Sequence, residues 1–89
     1  PILRCYARFR DVFGEEQVVD LPQGATIRDA VIILAKASPD SDLLVDDMQN
    51  IRSYVMIMHQ DERISPMDAG SVTLEDGDLI ILFPPVSRG

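Results

Sequence analysis

The residues of this chain with the clearest chemical pattern stand at its C-terminal end, which reads Phe83-Pro84-Pro85-Val86-Ser87-Arg88-Gly89. The two prolines end a strand, because they cannot donate to a sheet ladder, and they favour an extended exit from the domain. The residues after Phe83 reach about 20 Å when extended, and a terminal glycine has no side chain to obstruct its carboxylate. This pattern is compatible with an arm that delivers its carboxylate into another protein's active site. A frayed terminus is the alternative that the residues leave open.

Cysteine, histidine and lysine occur once each, as Cys5, His59 and Lys36. One cysteine cannot form an internal disulfide, and with a single histidine it does not make a typical zinc or iron–sulfur ligand set. We therefore predict no metal site, and no catalytic dyad or phosphate loop indicates an enzyme. Cys5 is interpreted as a small core residue. His59 is interpreted as a strand-end histidine with a satisfied hydrogen bond, with a pH-sensitive surface group as the alternative.

Composition limits the partners of the chain. A length of 89 residues predicts one domain. The net charge of −7 argues against nucleic-acid binding and is compatible with a basic protein partner or with a solvated acidic surface alone. No apolar run approaches the roughly 20 residues that span a bilayer, so we expect no membrane partner. The scarcity of cysteine is typical of a reducing compartment, and we expect a cytoplasmic protein.

The first half of the chain predicts two strands and a helix. Residues 2–10 alternate apolar and polar side chains, which predicts a strand with one wet face. A turn over residues 11–15 and a second strand over residues 16–21 would complete a hairpin. Thr26 then opens a helix, with Asp29 in the position of a capping box. The helix is expected to end near residues 38–39, because the residue before a proline avoids helical angles.

The second half predicts strands separated by turns. Residues 40–50 are compatible with a short helix or a loop, and residues 53–59 predict a third strand with apolar residues on both faces. Residues 60–63 predict a turn, and residues 64–71 are short and mixed. The Asp-Gly in residues 75–78 predicts a tight turn. Residues 79–83 are apolar throughout, which predicts a central strand that is buried on both faces.

This order of elements predicts an α+β fold, a β-grasp (ubiquitin-like) roll. We expect a mixed sheet of four to five strands with one main helix packed on one face, and with the last strand central and parallel to the first. The predicted division is a domain over residues 1–83 and a flexible C-terminal tail over residues 84–89.

The same residues resemble a known family. Leu74-Glu75-Asp76-Gly77-Asp78 followed by Phe83-Pro84-Pro85-Val86-Ser87 is similar to the end of the MoaD family, the small subunits of molybdopterin synthase, and of the related archaeal small ubiquitin-like modifiers. Ala7-Arg8-Phe9-Arg10-Asp11 before Gly14 resembles the first strand and turn of that family, and Thr26-Ile27-Arg28-Asp29-Ala30 its helix start. The Phe-Pro-Pro feature favours this branch over the ThiS-type thiamine sulfur carriers. Arg88 departs from the Gly-Gly terminus of the family, and Gln60-Asp61 stands where Asn-Gly is usual.

The resemblance implies a carrier without catalysis of its own and without a tightly bound cofactor. An ATP-dependent activating enzyme would adenylate Gly89, and sulfur transfer would convert it to a thiocarboxylate for molybdenum cofactor biosynthesis with the larger synthase subunit. Alternatively, the activated carboxyl would be joined to lysines of target proteins, or the chain would be a β-grasp interaction module that is not activated. The residues implied to bind partners are Phe83, Pro84, Pro85, Val86, Ser87 and Arg88.

Overall fold

The computed structural model describes residues 1–85, and its first strand is shorter than the alternation predicts. β1 spans Ile2–Cys5, with Leu3 and Cys5 fully buried. The predicted continuation to residue 10 is wrong, because α1 occupies Ala7–Phe13. Phe9 and Phe13 stand one helical turn apart, both are buried, and their rings meet edge to face at a centroid distance of 6.2 Å. Residues four apart lie on one face of a helix, so α1 turns both rings toward the core.

The second strand is also shorter than predicted. β2 spans Glu16–Val18 and pairs antiparallel with β1, with Leu3 opposite Gln17. The predicted pairing of the first two strands is therefore confirmed, but α1 lies between them in place of a tight hairpin turn. Gly14 ends α1 at a φ of +92°, a backbone conformation that L side chains rarely adopt.

α2, which spans Ile27–Lys36, begins as predicted. The Thr26 hydroxyl accepts a hydrogen bond from the Asp29 backbone N–H, and the Asp29 carboxylate accepts one from the Thr26 N–H, which makes a capping box. The buried side of the helix consists of Ile27, Ala30, Val31, Leu34 and Ala35. This spacing of three and four residues lays one apolar stripe of α2 on the core.

The remaining strands complete the sheet. β3 spans Met56–His59, β4 spans Glu62–Ile64 and β5 spans Leu79–Phe83. The predicted turn over residues 60–63 is too long, since β4 begins at Glu62 and the two connecting residues have φ angles of 51° and 64°. Short 3₁₀ helices at Ser41–Leu43 and Pro66–Ser71 fill the connections.

The strand order β2-β1-β5-β3-β4 confirms the predicted β-grasp roll. β5 is central, parallel to β1 and antiparallel to β3, as predicted. The core lies between the sheet and α2, and its largest fully buried side chains include Phe9, Leu3, Ile27, Leu44, Ile57, Ile80 and Leu82. In residues 1–85, no helix is long and apolar enough to cross a membrane.

The expectation that β5 is buried on both faces is wrong. Ile80 and Leu82 are fully buried against the helical side, whereas Leu79, Ile81 and Phe83 are only half-buried on the other side. The alternation arises because successive side chains of a strand point to opposite faces, and the helices cover only one of them.

Candidate functional site

The predicted arm leaves the sheet at the end of its central strand. Phe83 is the last residue of β5 and lies opposite Met56 of β3. Phe83 and Pro84 are half-buried and Pro85 is exposed, so the backbone passes from the sheet into solvent over these residues. The assigned residues Val86, Ser87, Arg88 and Gly89 lie outside the described residues, and their roles stay predictions.

An apolar surface spreads from the base of the arm across the uncovered side of the sheet. We call it the open sheet face, and it consists of Ile2, Met56, Met58, Leu79, Ile81 and Phe83. All six side chains are half-buried. The register places Met58 opposite Ile81 and Ile2 beside Leu79, so the six residues share one side of three adjacent strands. Contiguous apolar surface that the fold leaves partly exposed commonly marks an interaction site.

Charged side chains border this face. On β1, Arg4 lies beside Ile81 and forms an ion pair with Glu16 of β2, with Nη2 2.8 Å from Oε2. On the other side, the exposed Arg63 of β4 lies opposite Met58. An apolar centre with a polar border is the usual anatomy of a protein–protein interface. The open sheet face can therefore bind a protein surface and leave the adjoining arm free to extend.

The apolar third strand is compatible with a partner surface on the sheet, but the sequence does not identify the six residues of the open sheet face. A signal was present, since β3 and β5 carry apolar residues at almost every position. Such a run is equally compatible with burial on both faces. Only the register and the position of α2 separate the covered residues from the open ones.

His59 is hydrogen-bonded, in agreement with the interpretation as a satisfied strand-end histidine. Its Nε2 lies 3.0 Å from Oδ2 of Asp78, and both side chains are about one-tenth exposed. The same Asp78 oxygen accepts the backbone N–H of Glu75 at 3.0 Å. The Glu75 N–H and then His59 lower the pKa of Asp78. The pair connects β3 to the predicted tight turn before β5, at the end of the strand opposite to the arm.

Cys5 is a core residue, as predicted. It is fully buried, and burial raises the pKa of its thiol to about 11. A thiol with a raised pKa holds little thiolate at neutral pH and is a poor nucleophile. Cys5 therefore contributes packing and no reactive group to the site.

Comparison with known proteins agrees with this geometry. The sequence model of the ThiS family matches residues 3–89. The chain belongs to the ThiS family. Over 98% of its length it is 28% identical to small archaeal modifier protein 3 from Haloferax volcanii, of which it covers 96%.

Two solved structures of family-like proteins superpose on the chain. SAMP1 from Haloferax volcanii has a TM-score of 0.84 at 27% identity, with 99% of this chain and 97% of that one covered. A putative molybdopterin converting factor subunit 1 from Pyrococcus furiosus has a TM-score of 0.72 at 28% identity, with 96% and 95% covered. The resemblance inferred from the sequence is thereby confirmed at the level of a ubiquitin-like carrier and modifier family, whose members are small carrier or modifier proteins rather than catalysts.

Proposed function

We propose that this ThiS-family chain is a MoaD-type sulfur carrier, in which Gly89 is adenylated and converted to a thiocarboxylate for molybdenum cofactor biosynthesis. The observation that carries the proposal is the continuity between the open sheet face and the base of the arm at Phe83 and Pro84. A partner that docks on this face receives the chain terminus at a fixed point of entry.

The chemistry requires activation because a free α-carboxylate is ionised at neutral pH and is a poor electrophile. An oxygen of the Gly89 carboxylate attacks the α-phosphate of ATP, which is bound by the activating enzyme, and pyrophosphate leaves. Hydrosulfide released by a sulfur donor then attacks the acyl carbon of the adenylate, a C–S bond forms as the acyl–phosphate bond breaks, and AMP leaves, which yields the thiocarboxylate. In this proposal ATP belongs to the partner, and the chain itself holds no cofactor.

The residues of the chain position the reacting group. Phe83 and Pro84 anchor the arm against the sheet, and Pro85 keeps the exit extended. Val86, Ser87 and Arg88 thread the channel of the partner, and Gly89 presents the carboxylate. The similarity to a putative molybdopterin converting factor subunit 1 supports a larger synthase subunit as the second partner.

The test is intact-mass spectrometry after incubation of the chain with its cognate activating enzyme, ATP and a sulfur donor. We expect an adenylate and then a thiocarboxylate at Gly89, and no modification of a variant that lacks Gly89. The Arg88→Gly variant restores the Gly-Gly terminus and shows how far Arg88 slows the reaction. Two outcomes would contradict the proposal. In the first, Arg88→Gly acquires the thiocarboxylate and the wild-type chain does not. In the second, neither chain is modified.

The second candidate function is conjugation to lysines of target proteins, which the identity to small archaeal modifier protein 3 supports. It predicts a ladder of higher-mass species in cells that disappears when Gly89 is deleted. Lys36 is the only lysine of the chain and is exposed in the last turn of α2. A Lys36→Arg variant therefore separates conjugates to other proteins, which persist, from chains of this protein, which are lost. If deletion of Gly89 abolishes cofactor synthesis and there is no ladder to lose, the carrier function is favoured.

A further inference from the structure

A second surface, distinct from the open sheet face, lies along the outer edge of β2. The N–H of Val19 donates to the Pro1 carbonyl, and the N–H of Cys5 donates to the Glu15 carbonyl. In an antiparallel pair, bonding groups of successive residues alternate between the two sides of the strand. The backbone N–H and C=O groups of Glu16 and Val18 therefore point away from the sheet. Among residues 1–85, no strand pairs with this side of β2.

An apolar groove of about 400 Å³ runs beside this edge, between β2 and α2. Ile33 of α2 is 43% exposed beside this groove. Val18 is 75% exposed, and its side chain lies on the same side of the sheet as Ile2, its partner in the register, so Val18 contributes its backbone rather than its side chain to the groove. Val12 and Ala37 also line the groove. The outward-facing backbone groups and the groove lie side by side, so a strand added to β2 would place every second side chain in the groove.

The opposite edge of the sheet, formed by β4, is protected against pairing with a further strand. β4 carries Glu62 and Arg63 among its three residues, and charged side chains discourage pairing with another strand. At β2, the Glu16 carboxylate is engaged by Arg4 at 2.8 Å, and Val18 presents an apolar side chain. The β2 edge is therefore the more receptive of the two edges.

The charges near β2 select the kind of strand that fits. Glu15 and Asp20 are exposed at the two ends of β2, and neither takes part in an ion pair among residues 1–85. They are five residues apart, or about 16 Å along an extended chain. A second copy of β2 would bring a further pair of carboxylates to the same edge, and like charges directly opposite one another are destabilising.

We propose that the outer edge of β2 and the groove beside it bind an extended segment of a partner protein. In this segment apolar side chains alternate with polar ones, and a lysine or arginine stands at each end, about five residues apart. The backbone of the segment pairs with Glu16 and Val18, its apolar side chains contact Ile33, and its cationic ends lie near Glu15 and Asp20. This binding uses neither the arm nor the open sheet face and goes beyond the carrier function.

The test is NMR titration of the ¹⁵N-labelled full chain with a blocked peptide of sequence arginine-valine-threonine-valine-threonine-arginine. We expect the amide signals of Glu16, Val18 and Ile33 to shift and that of Ile81 to stay in place. In a control peptide, glutamate replaces arginine at both ends, so that both ends are repelled by the carboxylates of Glu15 and Asp20. Since each exposed ion pair contributes only modestly, we expect about tenfold weaker binding of the glutamate peptide.

Two variants sharpen the test. Val18→Pro removes an outward N–H that the sheet does not use, which an edge strand tolerates, and Ile33→Ser removes an apolar contact from the surface of α2. We expect both variants to lose most of their affinity for the peptide. Met67→Ser is the control, because Met67 is 92% exposed and does not line the groove, and it should bind the peptide as the wild type does. If Val18→Pro fails to fold, Ile33→Ser still decides.

Three results would overturn the proposal. They are shifts confined to the open sheet face, equal binding of the arginine and glutamate peptides, and β2 signals that move with protein concentration alone, which would identify a second copy as the occupant. The result of the peptide titration does not depend on whether the chain is a sulfur carrier. Ile33→Ser is expected to acquire the thiocarboxylate at Gly89 at the wild-type rate, whether or not it binds the peptide.

Discussion

Neighbouring residues of β5 have opposite surroundings. Ile80 and Leu82 are fully buried on the side of the sheet that faces α2, while Leu79 and Ile81, on the open sheet face, are half-buried. The four side chains are of similar size and hydrophobicity, and they belong to one strand. The burial of the first pair stabilises the fold, whereas the second pair leaves apolar surface in contact with water.

The difference separates folding from binding. Each methylene group removed from water contributes about 0.8 kcal/mol, so the covered residues supply most of the stability of the sheet. Leu79 and Ile81 are only partly removed from water on folding, so they contribute only part of this free energy. The remainder is available to a protein that covers them, which agrees with the position of the open sheet face beside the arm.

The largest expected effect is on stability. We expect Leu82→Ala to lower the free energy of unfolding by about 3 kcal/mol, because it removes buried methyl groups and leaves a cavity. Chemical denaturation monitored by circular dichroism measures this change. Ile81→Ala is the matched control on the other face of the same strand, and its cost should stay below about 1.5 kcal/mol. Equal losses would remove the distinction between the two faces.

The next effect is on binding and rests on the proposed function. Ile81→Asp places a charge in the middle of the open sheet face, and desolvating an unpaired charge in an interface is costly. We expect the rate of thiocarboxylate formation at Gly89 to fall at least about tenfold, equivalent to 1.4 kcal/mol.

Circular dichroism must show that Ile81→Asp remains folded, since only then does the rate report on docking. The exposed Met67 provides the matched control, because it lies beside Arg28 and Gly70, outside the open sheet face, and Met67→Asp is expected to leave the rate unchanged. A folded Ile81→Asp that reacts at the wild-type rate would show that the open sheet face does not bind the activating enzyme.

A smaller change, of opposite sign, is expected at the turn that borders the open sheet face. Gln60 and Asp61 connect β3 to β4 with positive φ angles of 51° and 64°. Such angles strain residues other than glycine by about 1 kcal/mol each. We expect Asp61→Gly to raise the free energy of unfolding by up to about 1 kcal/mol, measured by denaturation, and Asp61→Ala to give no gain. Stabilisation by alanine as well would mean that the backbone strain is not the cause.

The sequence contained enough information for the architecture but not for every element. The capping residues Thr26 and Asp29 and the Asp-Gly turn before β5 act locally, so their positions were predicted correctly. α1 was missed because residues 3–9 also alternate as a strand does, and the helical signal rests on the spacing of Phe9 and Phe13 alone. β4 has three residues, too few to show a period.

The candidate site divides in the same way. The tail is predicted from its residue types, because prolines and a terminal glycine have local consequences, and its role stays a prediction. The open sheet face depends on which strands are neighbours and on which side α2 packs, and these relations connect residues far apart in sequence. Met58 and Ile81 are 23 positions apart and lie opposite each other, a contact that apolar periodicity does not reveal.

The smallest effect concerns Asp78, which precedes β5 and contacts His59, the residue that pairs with the buried Ile80. Its carboxylate accepts the Glu75 N–H and contacts His59, and these contacts lower its pKa. The pKa is lower in the folded state than in the unfolded chain, so the stabilisation is fully present above the ordinary value of about 3.9 and is lost as pH falls through the folded pKa. We expect Asp78→Asn to be less stable than wild type at pH 7, and the difference to narrow below about pH 4.

Thermal melts of wild type and Asp78→Asn between neutral and acidic pH measure this difference, and Asp40→Asn at an exposed position controls for the loss of one negative charge. The Asp78 carboxylate is ionised near neutral pH and contacts His59. The difference in melting temperature between wild type and Asp78→Asn should therefore be largest near neutral pH. A gap that stays constant down to acidic pH would assign the role of Asp78 to shape rather than charge. The covered side of the sheet would then owe its stability to packing alone, and its contrast with the open sheet face would be one of burial without an electrostatic part.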